Sequence, residues 1–107
     1  MTAFDNGIAL QPAGERLLRG RTVPEWANMV GPFGGITAAA LLRAIELQPD
    51  VHGQPVALTV NYLAPIVEGD FEISTRAVRT NRSNQHWFVE LSQDGDVLTT
   101  ATAVFGV

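Results

Sequence analysis

The segment Ile36–Leu47 constrains this chain more than any other. Between Ile36 and Leu42 only Thr37 is polar, and the sole charges of the segment, Arg43 and Glu46, fall near its end. Strong helix formers fill it, without Gly or Pro. The breaker cluster Gly31-Pro32-Phe33-Gly34-Gly35 precedes it and Pro49 follows, so the spacing predicts one helix over 36–47. A helix apolar nearly all round is expected to be buried rather than to float as a surface amphipath. Something large must therefore cover it. With 107 residues, 46% apolar and 17% charged, the chain reads as one continuous domain over 1–107. A domain of that size buries roughly 65% of its unfolded surface, a modest core to which a partner subunit would add.

The cover is expected from strands. Ile8 to Leu10 and Leu17 to Val23 are short and strand-like, separated by a predicted turn at Gln11-Pro12-Ala13-Gly14, with Trp26 the first large anchor. After the helix, Val56 to Ile66 is rich in strand formers. Phe71 to Arg79 alternates, with Phe71, Ile73, Thr75 and Ala77 on one face. Asn81-Arg82-Ser83-Asn84 reads as a turn, and the next strand sets Trp87, Val89 and Leu91 against His86, Phe88 and Glu90. Asp94-Gly95 predicts a type I′ hairpin, since both residues tolerate positive φ. The closing strand, Val97 to Phe105, puts Ala101, Ala103 and Phe105 on one face. The expected class is α+β: a strongly bent antiparallel sheet wrapped around one central helix.

Charge and composition exclude several functions. Seven basic against eleven acidic residues give a net charge of −4, with no basic run to hold nucleic acid or an anionic membrane. No cysteine is present, which removes disulfides, thiolate metal sites and a cysteine nucleophile together. His52 and His86 are far apart and lack an acidic cluster, a poor metal set. No Walker or dinucleotide-binding glycine motif occurs. With no basic residue before Arg16, the start does not resemble a secretory signal, and the expected compartment is the cytoplasm.

Four motifs, in order, carry a family resemblance. Gly31-Pro32-Phe33-Gly34-Gly35-Ile36 before an Ala/Leu-rich helix resembles the helix entry of acyl-CoA thioesterases of the thioesterase II type. Val60-Asn61-Tyr62-Leu63-Ala64-Pro65 is similar to the signature of their first long strand. Gln93-Asp94-Gly95 and Ala101-Thr102-Ala103-Val104-Phe105 resemble their terminal hairpin. Phe4-Asp5 and Trp26 extend the likeness toward the start. The resemblance implies a hotdog fold, specifically the N-terminal one of two in tandem, with an acyl-CoA or other acyl thioester as ligand and no cofactor. It also implies pairing with a second hotdog, as a homo-oligomer or within a longer chain.

The family's catalytic set is an Asp on the helix of the second hotdog, a Thr near its first long strand and a Gln on its last strand. Here Ile36 to Ala44 carries no carboxylate, and Val104 stands about where Gln would lie. What remains must do thioester chemistry differently. Gly34 and Gly35 are candidates for an oxyanion hole, because helix-start N–H groups are free and the missing side chains admit a carbonyl. They serve equally to make room where the helix meets the sheet. Asn28 is the candidate to position a water, or an ordinary loop or cap residue. Phe33, Thr37, Thr59 and Asn61 are candidate substrate contacts, with backbone or cross-strand hydrogen bonding as the plain alternative for the polar ones. Arg76, Arg79 and Arg82 could meet the phosphates of CoA or form a solvated strand face. Three functions stay open: a thioesterase, an acyl-thioester-binding or structural module without a base, and a hotdog dehydratase, which the histidine positions disfavour.

Overall fold

The computed structural model describes residues 10–14, 16–21 and 34–107. Its elements are β1 (Gln11–Gly14), β2 (Leu17–Arg21), α1 (Gly34–Glu46), β3 (Gln54–Tyr62), β4 (Asp70–Thr80), β5 (Asn84–Gln93) and β6 (Asp96–Gly106). The six strands form one antiparallel sheet in the order β1-β2-β4-β5-β6-β3. Strands β1 and β3 are its edges. The arrangement is the α+β sheet-and-helix architecture expected from the sequence.

Period-two alternation places the core. Phe71, Ile73 and Thr75 of β4, Trp87, Val89 and Leu91 of β5, and Ala101, Ala103 and Phe105 of β6 are all buried. The register lines them up in rows, Thr75 against Val89 and Val89 against Ala101, so they form one continuous face. Helix α1 packs against β4 and β5 on that face. It buries Thr37, Ala40, Leu41, Ala44 and Ile45, a stripe at the helical spacing.

Several expectations need correction. A helix covered all round is not what this chain builds alone: Ala38, Ala39 and Leu42 are half-buried, because one sheet covers one side of a cylinder. The segment 11–14 is a strand, not a turn. Gln11 pairs with Arg19 and Pro12 with Leu18, with a bulge between Pro12 and Gly14. Proline is tolerated there because an edge strand need not donate on both sides. The chain reverses instead beside Arg16, whose φ is 61°. Strand β3 begins two residues earlier than expected and ends at Tyr62, four short of Ile66. Beyond it the N–H groups of Leu63 and Ala64 both donate to the Leu98 carbonyl, at 2.8 and 3.1 Å, which bends the chain off the ladder. Ile8 and Ala9 of the first expected strand, with Phe4, Asp5 and Trp26, lie outside the described residues.

Two turns need their glycines. Asp94 and Gly95 have φ of 51° and 84°, the double positive of the predicted β5–β6 turn. Gly53, at φ 77°, enters β3 so close to the carbonyl of Gly106 that any Cβ would collide with it.

Candidate active site

The start of α1 is the first place to build a site. Its first turn opens on Gly34 and Gly35 and holds no acidic side chain. The first N–H groups of a helix lack partners within it, and the peptide dipoles add positive potential there. Thr37 follows in the same turn and is only 1% exposed. No carboxylate occurs on α1 before Glu46, which is exposed and lies 4.0 Å from Arg43. The start of α1 can therefore polarise a carbonyl, but α1 brings no base beside it.

Beneath the helix, two hydroxyls stand out. Thr75 Oγ1 and Thr99 Oγ1 are buried on the α1 side of the sheet with no hydrogen-bond partner among the described residues. Thr99 lies opposite Leu91 on β5 and Tyr62 on β3. Sequence reasoning places Thr75 on the inward face but draws no chemistry from it. It misses Thr99, although Ala101, Ala103 and Phe105 extend by the same parity to position 99.

Thr59 and Asn61 do not join this group. Thr59 pairs with Thr102 and Asn61 with Thr100, while the intervening Leu58 and Val60 oppose the buried Ala103 and Ala101. Alternation therefore turns Thr59 and Asn61 to the sheet face away from α1, and both are exposed. They thus lie on the opposite face of the sheet from the buried Thr37 side of α1. Asn28 and Phe33 lie outside the described residues.

A second polar cluster sits past the other end of α1, about 20 Å along the helix from the glycines. Arg16 makes paired hydrogen bonds to Asp50 at 2.7 and 2.6 Å, a third to Gln48 at 3.2 Å, and stacks 5.3 Å over the Trp87 ring. The Arg16 hydrogen bonds hold the Asp50 carboxyl below its ordinary 3.8, outweighing slight burial. Gln85 saturates its amide nearby. Its oxygen accepts from His52 N and Trp87 Nε1, and its nitrogen donates to the Asp50 carbonyl and Thr80 Oγ1. A cavity of about 340 Å³ opens beside Arg16, Leu47 and Gln48. Its charged groups are already matched to each other, so it reads as the structural joint between β2, β5 and the end of α1 rather than as a reaction centre. Among the described residues no group of three or more His, Asp or Glu could hold a metal ion.

These features define a hotdog-type domain, a class shared by solved structures of related proteins. The chain belongs to the acyl-CoA thioesterase N-terminal domain family, whose model matches residues 23–106. A hotdog-fold protein of unknown function from Alicyclobacillus acidocaldarius is 53% identical, with a TM-score of 0.93 over 99% of this chain and 40% of that one. A putative thioesterase II from Thermobifida fusca YX has a TM-score of 0.84 at 22% identity, over 99% of this chain and 39% of its own. A Bacillus halodurans protein solved with CoA superposes at 0.75, with 20% identity, over 91% of this chain and 70% of its own. The chain thus spans about two fifths of the length of the first two. No curated protein matches it.

Proposed function

We propose that this domain supplies one half of an acyl-CoA thioesterase site, completed by a second hotdog across the open edge of β3. Its membership of the acyl-CoA thioesterase N-terminal domain family carries this reading. The edge position of β3, and the exposed Tyr62 and Leu63 at its end, support the pairing. The acyl thioester would present its carbonyl to the N–H groups at Gly34 and Gly35, with Phe33 and Thr37 beside the acyl group. Asn28 or a residue of the second hotdog would hold the attacking water. The proposed setting is a homo-oligomer, or the tandem hotdog of a longer chain, in the cytoplasm. No helix among the described residues is long and apolar enough to cross a membrane.

One observation favours a second reading. Because α1 has no carboxylate before Glu46, the domain could bind acyl thioesters, or only support a neighbouring hotdog, without hydrolysing them. Turnover across a series of acyl-CoA lengths, measured with binding on the same oligomer, separates the two. Turnover that falls about 10²–10³-fold in Gly35→Val, with the fold intact, supports the helix-start hole. Loss of rate in Asn28→Ala with binding retained supports a water-positioning asparagine. Tight binding without turnover selects the binding module, and normal turnover in folded Gly35→Val removes Gly35 from the site.

A further inference from the structure

Seven arginines and no lysine supply all the side-chain positive charge of this chain apart from its histidines. Four are matched: Arg16 with Asp50, Arg19 with Glu72, Arg21 with Asp70 and Arg43 with Glu46. Arg76, Arg79 and Arg82 have no carboxylate partner among the described residues, and all three are exposed at one end of the sheet. In so acidic a chain, that segregation calls for a reason.

The backbone gathers two of them. Residues three apart on a regular strand face opposite sides of the sheet. Strand β4 carries a bulge between Ala77 and Arg79, so Arg76 opposes Phe88 while Arg79 opposes His86. Phe88 and His86 lie two apart on β5 and share the face away from α1. Val78 is thus the extra residue that brings Arg79 to the same face as Arg76.

Both guanidinium groups are also oriented. Arg76 lies 5.6 Å over the Phe88 ring. Arg79 donates from Nε to Asn81 Oδ1 at 2.8 Å, and Asn81 Nδ2 is in turn held by Asn84 Oδ1 at 2.7 Å. An arginine steadied through Nε keeps its terminal nitrogens for a second acceptor. Arg82 is exposed in the turn that joins β4 to β5, and Glu90, opposite Ser74, is the acidic residue on the same face of β5.

We infer that Arg76 and Arg79, with Arg82 in the turn that follows, form a binding site for adjacent phosphate groups. Planar guanidinium forks match phosphate oxygens bidentately, as they match carboxylates, and no carboxylate among the described residues takes up these three. The shared chemistry is a pyrophosphate or closely spaced phosphates, supplied by a free polyphosphate or by the nucleotide tail of coenzyme A. The site lies on the sheet face away from α1 and stands whether or not the domain hydrolyses thioesters.

The test is a titration of the ¹⁵N-labelled chain at low salt, followed by amide and arginine Nε shifts. The probes are inorganic pyrophosphate, coenzyme A, dephospho-CoA and pantetheine. Saturable shifts at residues 76–86 are expected with the phosphorylated probes and not with pantetheine, weakening as salt rises. Arg76→Gln and Arg79→Gln should each weaken binding about tenfold, the scale of one charged hydrogen-bonded contact. Arg19→Gln, which removes a matched arginine, should leave it unchanged. Coenzyme A binding tighter than both dephospho-CoA and pyrophosphate identifies the CoA tail as the source. Equal affinity for coenzyme A and pyrophosphate identifies phosphate itself. No saturable shift at 76–86 with any phosphate, or equal weakening by Arg19→Gln, overturns the site.

Discussion

Strands β5 and β3 flank the same partner, β6, through ladders of similar length, yet they live in different surroundings. On β5 every inward side chain from Gln85 to Gln93 is buried. On β3 none is, and Leu58 and Val60 reach only half-burial. The difference is position: β5 has neighbours on both sides and α1 across its face, whereas β3 has β6 on one side and, among the described residues, no strand on the other. The remaining edge shows that openness is not a general habit of this sheet. Strand β1 is four residues long, contains Pro12 and is bulged, the ordinary ways of blunting an edge. Strand β3 has its proline and bulge only at its start, near Pro55, and then runs regularly from Ala57 to Tyr62. It has the composition of an interior strand in the place of an edge.

The contrast can be tested by energy first. Trp87→Ala should cost about 3–5 kcal/mol in urea unfolding, since it empties a core position and removes one of the two hydrogen bonds that the Gln85 oxygen accepts. Val60→Ala should cost less than about 1 kcal/mol in the single chain, because half of that side chain's surroundings are missing. Equal losses at the two positions would erase the distinction. Helix α1 offers the same comparison on a smaller scale. Leu41→Ala, at a fully buried position, should cost about 2–5 kcal/mol, and Leu42→Ala, half-buried, clearly less. A larger loss at Leu42 would mean that another surface covers it in solution.

Association is the next test. Tyr62→Lys adds charge at the end of the open strand and should shift the light-scattering mass toward one chain with little change in unfolding energy. Gln11→Lys on the blunted edge should leave the mass unchanged. A wild-type mass of one chain at micromolar concentration would refute the paired edge outright. The smallest effect concerns acid. Asp50 has a lowered folded pKa, so its stabilisation is present above 3.8 and is lost as pH falls below that value. The pair is part-exposed, and Asp50→Asn should therefore cost at most about 1 kcal/mol at neutral pH. That cost should shrink below pH 3.8; a cost that persists unchanged there would assign it to packing rather than to charge.

Most of the sheet is legible in the sequence because period-two patterning and turn chemistry act locally. Phe71, Ile73, Trp87, Val89, Leu91 and Ala101 can be assigned to a face without knowing any partner. The misreadings share a cause. Gln11-Pro12-Ala13-Gly14 has turn residues but becomes a strand because β2 pairs with it, a non-local fact. Residue type alone makes Thr59 and Asn61 candidate contacts, and it is register that decides which face of the sheet they take. The bulge that aligns Arg76 with Arg79 is invisible to simple alternation, since the sequence does not say which residue the ladder skips. The hydroxyls of Thr75 and Thr99 are readable by parity, but their lack of a partner among the described residues emerges only in three dimensions.

Gln93 anchors the segment between β3 and β4 by its main chain, leaving Ile66 as its one side chain in the core. From β5 it accepts a hydrogen bond from Val67 N and donates to the carbonyls of Val67 and Asp70, gripping the segment by its main chain. Ile66 is the buried side chain of residues 63–68, while Leu63, Val67 and Glu68 face outward. Selection can therefore change those three outward residues without renegotiating the fold. The same clamp would hold a polar, bulky or charged rim beside the open strand, so one scaffold can acquire new preferences there by single substitutions.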